Sequence, residues 1–280
     1  MSEIIVTPLG TVSPYPKNGK NCPGFFIEYE KNKILLDCGN GCTSLLNFPD
    51  DLNNLKIFIS HLHPDHYGDL LSLIQAAKVY EKYGYIDDKI ELFIPNDDVT
   101  KESIGYTDAD GWGASHTINT NLLDFRLIRE LAKDSIVNFK EYMPPSMEFD
   151  NIKLASLKVP HQISSCAIKI NTPDGSVVYS SDTGTRNSLR HFAKDCDLFI
   201  CESTFLKGQY RAEDAHLYAW EAANIAKDAN VKKLLLTHFW PEIDKEKYLE
   251  EAKSIFENTE VAEEGKKLVL KKWLILKKEY

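Results

Sequence analysis

Four side chains able to hold a metal ion fall within six positions of this sequence: His61-Leu62-His63-Pro64-Asp65-His66. The chain has eight histidines in all, and three of them in one short run argue against a chance cluster in a solvated loop. Imidazole and carboxylate together suit zinc or manganese. With His61 and His63 two positions apart in a loop, both rings can face one ion while Asp65 and His66 face a neighbouring ion. His161, Asp182 and His238 each follow a short apolar run. Taken singly, such residues are ordinary; taken with the first cluster, they are what a two-metal site requires. Two bridged cations bring a hydroxide nucleophile within reach near neutral pH and offset the charge of phosphate oxygens, so the chemistry indicated is hydrolysis.

These residues need elements that end on a common edge. Short runs rich in Ile, Val, Leu or Phe and bounded by Gly, Pro or Asn predict strands at Glu3–Leu9, Gly24–Glu30, Lys33–Asp37 and Lys56–Ser60. Leu70, Leu73, Ile74, Ala77 and Tyr80 recur at helical spacing, which predicts a helix from Asp69, as a cap, to Tyr83, with Gly84 ending it. Further strands are expected at Lys89–Ile94, Lys153–Val159, Ser165–Ile170, Ser176–Ser180, Leu198–Cys201 and Lys233–Thr237. Helical patterns lie at Leu122–Leu131, Ala215–Ala229 and Asp244–Phe256. Each candidate ligand stands at a strand exit, where α/β scaffolds present their chemistry. The alternation predicts a layered α/β protein with sheets inside and helices outside. With no Pro-, Gly- or Ser-rich linker, residues 1–280 read as a single domain, and 84–147 as an insertion or lid.

Composition excludes several classes. The chain has 280 residues, 43% of them apolar, enough for a sizeable core. Its net charge of −9 argues against coating nucleic acid by charge alone. No apolar run approaches the ~20 residues of a membrane helix, and the N-terminus lacks the features of a signal peptide, so a soluble, cytoplasmic protein is expected. Six cysteines without C-x-x-C spacing read as reduced, buried thiols. Lys266–Tyr280 interleaves lysines with apolar residues and reads as a guarded edge strand rather than a basic nucleic-acid face.

The run His61–His66, Asp37 in Leu35-Leu36-Asp37-Cys38-Gly39, His161, Asp182 in Ser181-Asp182-Thr183, and Thr237-His238-Phe239 together resemble the metallo-β-lactamase superfamily, in order, from about Leu9 to His238. Within it, Leu9-Gly10-Thr11, Ser180-Ser181-Asp182-Thr183, Cys201-Glu202-Ser203-Thr204-Phe205 and Leu236-Thr237-His238-Phe239 are similar to the ribonuclease Z-like phosphodiesterase branch. The resemblance implies a four-layer αββα sandwich carrying two zinc ions, with manganese as the alternative. One ion would be held by His61, His63 and His161, the other by Asp65, His66 and His238, with Asp182 bridging. Asp37 would either order the metal loop from behind the ligands or simply shape the turn before Gly39.

In that branch a Glu within a His-Glu-Ala-Thr run supports a later His that protonates the leaving alkoxide. Here the run reads Cys-Glu-Ser-Thr, and Ala215-His216-Leu217 opens the following helix. The implied catalytic set is Asp65, His216 and Glu202. Two departures stand out: the His before Glu202 is absent, and Leu217-Tyr218 replaces the Ser-Thr that follows the second His. Only 21 positions separate His161 from Asp182, room for a hairpin but not for the tRNA-clamping arm of ribonuclease Z. The expected substrate is therefore a small or cyclic phosphodiester, with RNA, through tRNA 3′ processing, as the alternative. A lactone, ester or β-lactam hydrolase on the same scaffold would need the metals but have less need of a His216–Glu202 relay. The Gly-rich 104–116 segment, with Tyr106, Trp112 and His116, could cover the metals, stack a ring, or form a homodimer contact.

Overall fold

A computed structural model describes residues 2–95, 121–133, 135–211 and 215–270. One sheet is built from β1 (Ile4–Gly10), β2 (Gly24–Tyr29), β3 (Asn32–Leu36), β4 (Leu55–Phe58), β5 (Ile90–Phe93), β6 (Val137–Lys140) and the late β14 (Leu268–Leu270), in the order β14-β1-β2-β3-β4-β5-β6. The other holds β7 (Ser146–Phe149), β8 (Ile152–Val159), β9 (Ser165–Thr172), β10 (Gly175–Tyr179), β11 (Leu198–Glu202), β12 (Leu234–Thr237) and β13 (Thr259–Val261), in the order β13-β12-β11-β10-β9-β8-β7. In each, hairpin-linked antiparallel strands give way to parallel ones, from β3 to β6 and from β10 to β13.

Strand alternation builds the layers. Ile34, Leu36, Phe58, Val177, Tyr179, Leu198, Ile200 and Leu235 point between the sheets and form one core. Their neighbours Leu35 and Ile57 point outward beneath α2 (Leu70–Lys82) and α3 (Asn121–Ala132), which follow the short α1 (Pro64–Tyr67). Phe199, Cys201, Leu234 and Leu236 likewise point outward beneath α4 (Asn187–Phe192), α5 (Ala219–Asp228) and α6 (Lys245–Lys253). Both faces of the central strands are covered, which is why those strands read as continuous apolar runs. The result is the expected four-layer αββα sandwich.

Several expectations are amended. Asp69 precedes α2 but does not cap it; its Oδ2 instead accepts from Thr43 N (3.0 Å) and Thr43 Oγ1 (2.7 Å), pinning the preceding loop. The helix expected from Ala215 begins at Ala219, because the Phe205–Tyr218 bridge and the bond from Leu217 N to Glu202 Oε2 (3.1 Å) hold residues 215–218 out of helical geometry. Within 84–147, the described parts are strands and a helix of the sandwich itself: β5, α3, β6 and β7. The expectation of a lid thus falls on residues 96–120, and the 104–116 segment with it lies outside the described residues. All six cysteines are free and buried. β14 is an edge strand as expected, while 271–280 lie outside the described residues. Among the described residues no helix is long and apolar enough to cross a membrane.

Candidate metal centre

β3 and β4 run parallel in one sheet, β8, β10, β11 and β12 point the same way in the other, and the candidate residues leave from their C-terminal ends: Asp37 after β3, His61 after β4, His161 after β8, Asp182 after β10, Glu202 in β11 and His238 after β12. Three of these exits turn abruptly. Asp37 (φ 60°), Ser181 (φ 54°) and His238 (φ 63°) all adopt left-handed backbone, a conformation costing non-glycine residues of order 1–3 kcal/mol and persisting where surrounding structure enforces it. Gly39 is required for a different reason: a Cβ there would lie 2.1 Å from the Asp65 carbonyl oxygen, so the Asp37 turn can press against the metal loop only without a side chain. Cys38 N donates to His66 O (2.8 Å), tying the two loops together.

The side chains converge as two groups sharing one carboxylate. In the first, His63 Nδ1 is 3.1 Å from His61 Nε2 and 3.0 Å from His161 Nε2, and Asp182 Oδ2 is 3.6 Å from His61 Nε2 and 3.9 Å from His161 Nε2. In the second, His66 Nε2 is 3.4 Å from His238 Nε2 and 3.7 Å from Asp65 Oδ2, while Asp182 Oδ1 is 3.3 Å from His66 Nε2 and 3.0 Å from His238 Nε2. Tetrahedral ligands of zinc at about 2.0–2.1 Å stand roughly 3.3 Å from one another, so these separations suit a central ion. Asp182 presents one oxygen to each group, and its buried Oδ1 makes no hydrogen bond.

Hydrogen bonds behind the rings aim lone pairs inward. His161 Nδ1 is 2.8 Å from Ala215 O, which can only accept, so the ring proton sits on Nδ1 and the Nε2 lone pair faces the cluster. His66 Nδ1 donates to Asp37 Oδ2 (2.7 Å) with the same consequence. Asp37 also accepts from Ser60 N (2.6 Å), Ser60 Oγ (2.8 Å) and Tyr179 Oη (2.7 Å). With its proton given to Asp37, Ser60 Oγ can accept from His61 Nδ1 at 3.1 Å. Asp37 is thus a buried organiser of the metal loop, and not merely a turn former. Lone pairs of His61 and His161 meeting His63 at about 3 Å repel unless something positive lies between them. Burial and the charge of neighbouring imidazoles press the same way, holding His61 well below the usual histidine range and His63 down to about 4. At His66 burial is outweighed by Asp182, Asp37 and Asp65, which raise it. Three histidines and a carboxylate in one group, and two histidines and a carboxylate in the other, could hold divalent cations; Asp182, His216 and His238 also stand close enough together to form a third such group.

Beside the cluster stands a different pairing. His216 Nδ1 donates to Glu202 Oε1 (3.0 Å) and lies 3.8 Å from Asp182 Oδ2. Burial alone would lower its pKa, but Glu202 and then Asp182 raise it to about 9. Arg211 Nη1 donates to His216 O (2.7 Å) and pairs with Glu221 (2.6 Å), fixing the backbone of the His216 loop. Every candidate named from the sequence is therefore drawn into one edge of the fold. Supporting residues carried less signal: Ser13, whose Oγ donates to Asp65 Oδ2 (2.7 Å), and Tyr179 arrive from distant segments, while Ser60, Thr204 and Arg211 are common types close in sequence to the residues they support.

A family model described as a beta-lactamase superfamily domain matches residues 32–239. Ribonuclease Z of Archaeoglobus fulgidus is 27% identical over 318 residues, covering 92% of this chain and 95% of its own. Among solved structures, the metallo-beta-lactamase fold protein YhfI from Bacillus subtilis aligns with a TM-score of 0.78 at 22% identity, over 95% of this chain and 99% of its own. A diphosphatase from the PhnP family aligns with a TM-score of 0.66 at 15% identity, over 95% of this chain and 97% of its own.

Proposed function

The chain belongs to the beta-lactamase superfamily as a metal-dependent hydrolase, and from that premise we propose that it is a phosphodiesterase acting on small or cyclic phosphodiesters, with two zinc ions at the Asp182 centre and manganese as an alternative. His61, His63 and His161 would hold one ion and Asp65, His66 and His238 the other, with Asp182 shared between them. The observation that carries the reading is the dyad: His216 gives its Nδ1 proton to Glu202, which sets it apart from His61, His63 and His161 although it lies within reach of Asp182 and His238.

Bound cations supply a water ionised near neutral pH and offset the charge of the phosphate. The chain supplies the rest. As the nucleophilic oxygen, already relieved of its proton, bonds to phosphorus, the opposite P–O bond breaks, and the departing oxygen takes the proton from His216 Nε2, which leaves that ring neutral. Glu202 accepts from Nδ1 throughout and stabilises the charged ring before the transfer. A positioned acid contributes typically ~10²–10⁴-fold. Hydrolysis of lactones or activated esters makes less use of it.

Substrate size follows from the segment between His161 and Asp182. Of its residues, β9 and β10 form a tight hairpin, with Asn171 paired to Ser176, and this leaves no projecting arm. The resemblance to ribonuclease Z, whose arm clamps tRNA, therefore favours small diesters here. The relative named ribonuclease Z supports tRNA 3′ processing as the second reading. A metal-replete screen over cyclic nucleotides, linear dinucleotides, tRNA precursors, lactones and carboxylic esters tests both. Turnover of small diesters ahead of the rest is expected. Accurate cleavage of precursor tRNA at physiological salt would favour the second reading, and preference for lactones would overturn the first.

A further inference from the structure

Thr204 lies between the dyad and the second group of candidate ligands. Its Oγ1 is 2.9 Å from Glu202 Oε2 and 2.7 Å from His238 Nδ1. Four other donors reach Glu202: Thr183 N (2.8 Å) and His216 Nδ1 (3.0 Å) at Oε1, and Leu217 N (3.1 Å) and Thr204 N (3.4 Å) at Oε2. A carboxylate so surrounded acts as an acceptor, and a hydroxyl carries a single proton. That proton goes to Glu202, and the hydroxyl then accepts from His238 Nδ1–H. The Nε2 of His238 is left with its lone pair, 3.0 Å from Asp182 Oδ1 and 3.4 Å from His66 Nε2. The opposite orientation would place a proton on Nε2, facing the ion position, and deprive Glu202 of a donor.

We propose that Thr204 is a positioning residue that serves two tasks through one hydroxyl: it fixes His238 in the tautomer that can bind a cation, and it holds Glu202 in register for His216. Thr204 acts through His238 and Glu202. The metal centre and the proton donor are thereby joined through the side of the protein, independently of Asp182. The inference rests on the reading of His238 as a metal ligand and His216 as the proton donor.

The test is chelator competition on the zinc-loaded full chain, with hydrolysis measured in parallel. Thr204→Val keeps the shape and removes the hydroxyl; it should loosen one of the two ions by about 10–100-fold, as loss of a ligand's orienting partner does, and leave the other unchanged. It should also slow diesters that expel an alkoxide more than those that expel a nitrophenolate. Thr204→Ser should restore both properties. If the valine variant melts early, Thr204→Ala provides the same comparison without a methyl group against Glu202. His238→Ala is the control: retention of both ions there overturns the ligand reading itself. Loss in His238→Ala without loss in the Thr204 variants overturns the role of Thr204 alone, as does a serine variant no better than valine.

Discussion

Buried histidines on the two sides of Asp182 are driven to opposite proton states. Where His61, His63 and His161 meet, each ring faces other rings, and burial is reinforced by their mutual repulsion; His63 is pressed down to about 4. His216, 3.8 Å from Asp182, is nearly as enclosed, yet Glu202 outweighs burial and raises it to about 9. The first environment makes lone pairs available for cations, and the second keeps a proton available for a leaving group. A carbonyl or a hydroxyl stands behind His161 and His61, while a carboxylate stands behind both His216 and the candidate ligand His66, so what sets His216 apart is its place beside the cluster as well as its partner.

Removing the residue both regions share should have the largest effect. Asp182→Ala takes away an oxygen from each group and exposes the ions to their mutual repulsion. It should cost at least one of about two bound ions, with a fall in activity beyond the ~10²–10⁴-fold of a general acid, read by elemental analysis after dialysis and by kinetics. Full occupancy and activity would show that Asp182 does not bridge. His216→Ala should then lower turnover of alkyl diesters by that ~10²–10⁴-fold with both ions retained.

Asp37→Asn sharpens the other side of the comparison. Asp37 Oδ2 receives three donors and Oδ1 receives Ser60 N, so an amide in either orientation faces a donor and disturbs the loop that orients His66, and metal affinity at the second group should drop by about 10–100-fold. An unchanged affinity would mean that His66 is oriented by packing alone. The smallest effect is a shift in pH dependence. The raised pKa of His216 keeps it protonated at neutral pH and deprotonates it as pH rises toward about 9, so turnover of alkyl diesters should decline on that limb. Cations drawn to Asp182 offset part of its pull and bring the limb somewhat lower. Glu202→Gln removes the larger contribution, and the limb should move further down; a limb that stays put would assign it to another group.

The run His61–His66 was legible because its chemistry is local: ligand types at short spacing after an apolar strand. The shared edge was legible because His161, Asp182 and His238 each follow a strand. Less could be seen where the signal was generic. Ser146–Phe149 alternates weakly between exposed and half-buried positions and becomes β7 only by pairing with β8. Helix α5 begins late because tertiary bonds hold Leu217 and Tyr218, which no local pattern reveals. Tyr179 and Ser13 act through partners 142 and 52 positions away, and nothing in their types or spacing distinguishes them; Thr204 stands in the quoted Cys-Glu-Ser-Thr run, but its bond to His238, 34 positions on, is not legible there.

The central claim is that His216 is a proton donor standing apart from the ions, and the most direct test is a series of phosphodiesters alike except in the basicity of the departing alcohol. For each, the rate of the parent is divided by that of His216→Ala, with metal content measured on both. A nitrophenolate leaves without a proton and an alkoxide does not, so the ratio should climb along the series from near one toward ~10²–10⁴. A constant ratio across the series, with both ions in place, would contradict the account and leave His216 as a residue that merely positions the substrate.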